Sequence, residues 1–286
     1  MSINTSIIKW LEKAEPDYYT MFIKSWIPYN AWYMHNFFDE DSTPKRISDR
    51  DIIYHIENNS NAYKNAIAGF LNGTSDGAGD FKRLISNLHY KLEETPIPDF
   101  DNRISFCNIC IDNNAQKEGP YTITETDFVV TGKHDKNIVP RTDPRWIFEV
   151  LDKKTGATIK RVALHKCSIT ELRGNFDYRD LSRKYQAAIE SCLNEIDPNK
   201  KTNIVIPPVN NRTRTKIKQP PNSIIIDEIK HLYFTDNIDD ICRALIQILY
   251  ELRCKLFHGE IEPSDNYLGI YEQAFHIQRI LIKSLK

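Results

Sequence analysis

The segment that most constrains the fold of this chain runs from Asp239 to His258 and reads DDICRALIQILYELRCKLFH. Successive residues of an α-helix are about 100° apart around its axis, and at that spacing the apolar side chains of the segment form one stripe. The stripe consists of Ile241, Leu245, Ile248, Leu249, Leu252 and Leu256. A second, less polar face carries Tyr250, Cys254 and Phe257, and a helix with two apolar faces usually has two packing partners. We therefore predict a long helix that packs in a helical bundle and offers its second face to another subunit.

Helical periodicity is found at both ends of the chain, and short β-type segments replace it in the middle. Residues 1–95 and 171–286 predict helices, whereas residues 96–170 contain short runs of β-branched and aromatic residues, some of which alternate with period two. The sequence therefore predicts a mainly α fold in which N-terminal helices (1–95) and C-terminal helices (171–286) pack as one antiparallel bundle. Residues 96–170 are predicted to form a small antiparallel β insertion in the middle.

Several short signals indicate where these elements begin and end. Ser48 is a predicted N-cap, and Gly259 is predicted to follow the C-cap of the long helix. The run DKKTG, residues 152–156, predicts a hairpin turn, and ISFCNICI, residues 104–111, predicts a strand. The glycine-rich run of residues 72–80 predicts a flexible loop.

Composition excludes some classes of protein. The net charge is −1 and hydrophobic residues make up 41% of the chain, which is typical of a soluble globular protein and gives no general electrostatic preference for nucleic acid. No run approaches the roughly 18 apolar residues that a membrane span needs. The six cysteines lie mostly far apart in the sequence. We therefore predict a cytoplasmic protein with reduced thiols and no membrane contact.

Arg253 and His258 lie near the predicted end of the long helix, on opposite flanks of its apolar stripe. A histidine can take a proton from a ribose 2′-hydroxyl or give one to a leaving 5′-oxygen, and an arginine can hold the phosphate in the transition state. RNA carries its own nucleophile, so this reaction needs no metal and yields a 2′,3′-cyclic phosphate. Spacing alone is a weak signal, because on the order of one chain in three of this length contains Arg-x4-His by chance. Cations are also favoured at any helix C-terminus, and this chain has a second such pair, Arg50 and His55.

Two stretches at opposite ends of the chain extend the pattern around this pair. They are ILYELRCKLFHGEIEPSDN, which contains the pair, and FIKSWIPYNAWY near the N-terminus. Their motif residues are Tyr250, Arg253, Phe257, His258 and Gly259 in the first stretch and Trp26, Asn30 and Tyr33 in the second. Together they resemble the HEPN family, small α-helical ribonuclease domains that are defined by an Arg-x4–6-His motif at the end of a helix.

The resemblance implies a HEPN-like antiparallel bundle with metal-independent endoribonuclease activity and no cofactor. It implies a homodimer with a composite cleft, in which Arg253 and His258 are catalytic and Asn30 supports them. Members commonly serve in toxin–antitoxin and antiphage defence systems, so an antitoxin or a trigger protein is a further expected partner. The family usually has Asn, Asp or His after the arginine, where this chain has Cys254.

RNA contacts are expected from four further residues: Tyr250, Lys255, Arg212 and Lys216. The last two belong to a basic, proline-rich stretch, residues 200–218. Such a stretch can guide an RNA backbone, or it can be a solvated connection.

Other interpretations stay open at the level of sequence. The second Arg–His pair is an alternative motif, because Asp51 follows its arginine. The chain can instead be a non-catalytic HEPN-like module that binds RNA, a nucleotide or a protein, or a structural helical protein with an accidental motif. Cys107 and Cys110 could form a zinc site with His165 and Cys167, but buried structural cysteines are the simpler interpretation, and we predict no metal.

Overall fold

The computed structural model of the protein describes residues 7, 16–43, 45–99, 102–110, 120–135, 143–197, 200–209 and 218–285. The chain divides into two compact units: unit 1 comprises residues 1–109 and 203–286, and unit 2 comprises residues 110–202. Within the described ranges it is mainly helical, with nine helices and three antiparallel sheets. No helix among these residues is long and apolar enough to cross a membrane.

The elements are numbered in chain order. The helices are α1 (Tyr18–Phe37), α2 (Asp49–Asn58), α3 (Ala62–Asn72), α4 (Asp76–Glu94), α5 (Ile169–Gly174), α6 (Phe176–Arg179), α7 (Arg183–Ile196), α8 (Ile238–Phe257) and α9 (Asp265–Lys283). The strands are β1 (Pro98–Asp99), β2 (Asn102–Arg103), β3 (Tyr121–Thr124), β4 (Phe128–His134), β5 (Trp146–Asp152), β6 (Thr158–Leu164), β7 (Val205–Ile206), β8 (Ser223–Asp227) and β9 (Leu232–Thr235).

Unit 1 packs helices from the two ends of the chain against each other. Helix α1 lies on α9, where the ring of Tyr271 is 4.8 Å from Tyr19 and 5.6 Å from Phe22, centroid to centroid. Helix α8 is central, and its predicted apolar stripe is confirmed from Ile241 to Leu252, whereas Leu256 is only partly buried. A stripe that is buried over most of its length supplies much of the hydrophobic stabilisation of a helical unit.

Most of the helix starts and stops that were predicted in unit 1 are confirmed. Ser48 caps α2 through a capping box with Asp51, and Gly259 has a φ of +64° after the C-cap of α8. The predicted loop over residues 72–80 is wrong in its second half. The side chain of Ser75 accepts a hydrogen bond from the backbone of Ala78, so α4 begins at Asp76 and runs through the glycine-rich stretch.

Unit 2 is a four-stranded antiparallel sheet of order β3-β4-β5-β6 with α7 packed on one face. Its core includes Phe128, Val130, Phe148, Val150, Val162, Ile189 and Cys192. The predicted hairpin at residues 152–156 is confirmed: the backbone amide groups of Lys154 and Thr155 donate to Asp152 Oδ1 at 3.0 and 2.8 Å. Gly156 completes the turn with a φ of +70°.

Three expectations about the middle of the chain need correction. Residues 171–202, expected in the helical bundle, belong to unit 2, because the apolar face of α7 is buried against β4. The described part of residues 104–111 forms turns and a single bridge at Ile109 rather than a strand. The zone 171–286 also contains a sheet of order β7-β9-β8 within unit 1, where only helices were expected.

Candidate functional site

Arg253 lies near the C-terminal end of α8 and is held by groups on both sides. Its side chain is 16% exposed, and Nη2 donates a hydrogen bond to Asp49 Oδ2 at 2.9 Å. The guanidinium also lies over the ring of Phe257, 4.2 Å from its centroid, on the next turn of the same helix. The ion pair and the cation–π contact together fix the direction of the guanidinium.

Asp49 connects this arginine to Asn30, the residue of α1 that was expected to support it. As the first residue of α2, Asp49 accepts a long hydrogen bond of 3.4 Å from Asn30 Nδ2 through its second oxygen, Oδ1. Asn30 also donates to the hydroxyl of Tyr33. Burial raises the pKa of Tyr33 to about 12, with the hydrogen bond from Asn30 acting in the opposite direction. The carboxylate therefore brings the motif residues from both ends of the chain into one hydrogen-bonded cluster.

Tyr250 is buried, against the expectation that it would contact RNA or a second subunit. Its side chain is 7% exposed, its ring lies 6.3 Å from that of Trp26, and the guanidinium of Arg50 lies 5.6 Å from its centroid. Burial raises the pKa of Tyr250, and the neighbouring Cys254 adds to the rise. Cys254 thus interacts with Tyr250 within the same helix.

The second face of α8 is therefore largely covered within unit 1. Helices α1 and α2 supply the second packing partner that the sequence assigned to another subunit, through Trp26 and Arg50. Of the three residues expected in a dimer contact, Cys254 is partly buried, and Phe257 is exposed at 51%. The part of this face that stays open lies at the very end of the helix.

His258 is exposed at the C-cap of α8. The backbone around it forms a Schellman motif, in which the amide of Gly259 donates to Leu256 at 3.2 Å and the amide of Glu260 donates to Lys255 at 3.0 Å. The imidazole makes no hydrogen bond with another residue in the part of the chain that the structure describes. The motif thus holds the backbone of His258 while its side chain stays open to solvent.

The second Arg–His pair does not form a site of its own. Arg50 faces α8, where it pairs with Glu251 at 3.5 Å and stacks on Tyr250. His55 instead faces the end of α1, with its ring 5.4 Å from that of Phe37, and burial lowers its pKa. The helix therefore directs the two side chains toward different neighbours, and Arg50 contacts α8 without its histidine.

Of the three other residues that were expected to contact RNA, the structure describes only Lys255. Lys255 is 12% exposed and pairs with Glu260 at 2.7 Å, so its charge is already neutralised. Arg212 and Lys216 lie outside the described residues.

The alternative zinc site gains no support from the structure. All six cysteines are free thiols. Within the described ranges, no group of three or more His, Cys, Asp or Glu side chains could hold a metal ion.

Asp49 is the site residue that sequence reasoning missed. It follows the N-cap Ser48 in the run SDRD, and an acidic residue in the first turn of a helix is ordinarily explained by the helix dipole. The one available signal was its position in that run, which marked a helix start rather than a partner for an arginine. The contact spans 204 residues of sequence.

Comparison with known proteins adds no relative to this description: no family model matches the chain, and neither a curated protein nor a solved structure matches it.

Proposed function

We propose that this protein is a HEPN-type endoribonuclease that cleaves RNA by metal-independent acid–base transphosphorylation. The ribose 2′-oxygen attacks the adjacent phosphorus as the bond from phosphorus to the 5′-oxygen breaks. His258 takes the 2′-hydroxyl proton or supplies the proton that the leaving 5′-oxygen needs, and Arg253 stabilises the charge on the phosphate. The products are a 2′,3′-cyclic phosphate and a free 5′-hydroxyl.

The observation that carries this proposal is that one end of α8 holds both an oriented arginine, Arg253, and an exposed histidine, His258. Five residues along a helix correspond to roughly 7.5 Å of rise, so the two side chains leave α8 within its last two turns, on different sides of the helix. A guanidinium has five N–H donors, and the hydrogen bond to Asp49 uses one of them. Asp49 therefore orients Arg253 and leaves it able to bind a phosphate oxygen.

A second copy of the chain is part of this proposal. Phe257 and His258 are exposed at the end of α8, and contact across that end would bring two Arg–His pairs together. A cytoplasmic setting, a toxin or antiphage-defence role and an antitoxin or trigger protein follow from the resemblance to the HEPN family and belong to the same proposal.

The test is incubation of the purified chain with total RNA in EDTA, beside Arg253→Ala and His258→Ala. We expect the wild type to yield cyclic-phosphate ends and each variant to lose about 100-fold or more in rate. Arg253→Ala also removes the partner of Asp49, which can disturb folding. Arg253→Lys keeps a positive charge beside Asp49, and circular dichroism checks that this variant is folded.

The matched controls are Arg50→Ala and His55→Ala, which remove the other Arg–His pair. We expect His55→Ala to cleave at the wild-type rate. Cleavage that survives both Arg253→Ala and His258→Ala, or that fails in the His55 variant, would overturn the assignment.

A non-catalytic binding module is the second candidate, and two contacts favour it. Arg253 is mostly buried and already paired with Asp49, and Cys254 lies beside Tyr250 at the position where the family usually has a more polar residue. In this case the chain would bind RNA without cleaving it, and Arg253→Ala would weaken binding. Binding and cleavage measured on one RNA sample separate the two functions.

A further inference from the structure

Phe257 is an exposed aromatic side chain at the end of α8, directly before His258 in the chain. It is 51% exposed, whereas Tyr250, two turns earlier in the same helix, is buried. The guanidinium of Arg253 lies over the ring of Phe257, 4.2 Å from its centroid. This cation–π contact holds the ring, and the rest of its surface stays open to a ligand.

The ring and the proposed phosphate site share one guanidinium. In the proposed reaction Arg253 binds the scissile phosphate, and its hydrogen bond to Asp49 leaves further N–H donors for that contact. A nucleotide whose phosphate is bound by Arg253 therefore has its base in the neighbourhood of Phe257. Aromatic side chains are the usual partners for the flat faces of unstacked RNA bases.

The surface around the ring suits a single base better than the apolar centre of a protein contact. The exposed residues that follow Phe257 directly, His258, Gly259 and Glu260, carry no large apolar side chain. One ring supplies enough area for one base, whereas the centre of a protein interface consists of several apolar residues packed together. Contact with the second copy of the chain is the competing role for Phe257, and binding measurements separate the two roles.

We propose that Phe257 stacks on a base of one of the two nucleotides joined by the scissile phosphate, and thereby positions that phosphate on Arg253. The inference deepens the proposed function and rests on it for the identity of the ligand as RNA. Stacking uses the flat face that every base has rather than its hydrogen-bonding edge. Phe257 therefore adds affinity for single-stranded RNA without choosing among the four bases.

The test measures binding of the full chain to 2′-O-methyl oligoadenylate by fluorescence anisotropy. The methyl group blocks the nucleophile, so no cleavage step is involved. The second ligand is an abasic oligomer of the same length, which keeps the phosphates and lacks the bases. We expect Phe257→Leu to weaken binding of the oligoadenylate by about tenfold, because the stacked base loses its partner. Binding of the abasic oligomer should stay nearly unchanged, because Arg253 keeps its contact with the phosphate.

Two further variants assign the loss to stacking at this position. Phe257→Tyr keeps an aromatic ring, so it should bind both ligands as the wild type does. Phe176→Leu replaces a phenylalanine that is 74% exposed at the start of α6 in unit 2, and it should also leave both affinities unchanged. Circular dichroism checks the fold of each variant, and size-exclusion chromatography checks its oligomeric state.

The inference is overturned if the wild type does not bind the oligoadenylate, or if Phe257→Leu binds it as tightly as the wild type does. An equal loss for both ligands, together with conversion of a dimer to a monomer, would assign the ring to contact between two copies instead. A similar loss in Phe176→Leu would show that the effect is not specific to this ring. Cleavage assays are read separately. A stacking effect without cleavage refutes the proposed nuclease alone, and cleavage without a stacking effect refutes the role of Phe257 alone.

Discussion

At the scale of single residues, Asp49 bonds to two groups from opposite ends of the chain, Asn30 on α1 and Arg253 on α8. The pair with Arg253 is partly buried, with side chains 31% and 16% exposed. An ion pair removed from water in this way leaves its arginine without compensation when the carboxylate is lost. Fully exposed pairs contribute little, because water and salt screen them.

We expect Asp49→Asn to lower the free energy of unfolding by about 1–3 kcal/mol, measured by urea denaturation. The matched control is Asp80→Asn. Its pair with Arg83 has nearly the same length, 2.8 Å, but both side chains are more than 60% exposed. That variant should lie within about 0.5 kcal/mol of the wild type. Equal effects of the two substitutions would contradict a stabilising role for the cluster around Asp49.

Glu57 predicts a pH dependence of stability. Burial raises its pKa to about 8 from the ordinary 4.5, with Arg50 acting in the opposite direction and Glu251 adding to the rise. The folded state therefore binds this proton more tightly than the unfolded state. The resulting stability is fully present below about pH 4.5 and is lost as the pH rises through about 8.

The measurement is urea denaturation of the wild type and Glu57→Gln across this pH range. The stability of the wild type should fall relative to the variant by up to about 5 kcal/mol. The two proteins are compared by how steeply their free energy of unfolding changes with pH. Their absolute stabilities are not compared, because the buried amide of the glutamine in Glu57→Gln can itself change stability. Parallel curves for the two proteins would show that Glu57 keeps an ordinary pKa.

At the scale of elements, the end of α8 depends on Gly259. Its φ of +64° closes the Schellman motif that holds the backbone of His258. A Cβ at this position would meet no heavy atom within 4 Å, so the cost of a side chain is backbone strain alone. That cost is about 1–2 kcal/mol for an L-residue in the left-handed region.

We expect Gly259→Ala to lower the free energy of unfolding by about 1 kcal/mol and to reduce RNA cleavage, because His258 loses its fixed backbone. The control is Gly79→Ala inside α4, where a Cβ also meets nothing within 4 Å but no positive φ is involved. It should raise stability by up to about 1 kcal/mol, since alanine is the better helix former. The same sign for both substitutions would contradict the assignment of strain to Gly259.

Periodicity and capping predicted the elements that local chemistry determines. The stripe of α8, the N-cap Ser48 and the turn at residues 152–156 each depend on neighbours a few residues away. The β7-β9-β8 sheet was not predicted, because strands of two to five residues leave too short a pattern to recognise. The burial of Tyr250 beside Trp26 and the pairing of Asp49 with Arg253 depend on tertiary packing, which the periodicity of the sequence does not encode.

At the scale of the whole molecule, the two units have separate cores, and unit 2 depends on a close contact between α7 and β4. A Cβ at Gly132 would lie 2.5 Å from Cys192 Sγ and 3.0 Å from the ring of Phe148. Cys192 is fully buried, so its sulfur has little room to move. Glycine is therefore the residue that lets the helix approach the sheet.

We expect Gly132→Ala to destabilise unit 2 by about 1–3 kcal/mol through overpacking. Hydrogen exchange with peptide resolution should show faster exchange in β4, β5 and α7 and unchanged protection in α1 and α9, because the latter belong to the other core.

Cys192→Ala opens space for the new methyl group, so the double variant should be more stable than the sum of the single effects by about 1 kcal/mol. The remaining contact with Phe148 keeps this rescue incomplete. Additive single effects would refute the contact between Gly132 and Cys192, and equal loss of protection in α1 and α9 would show that the two units unfold as one.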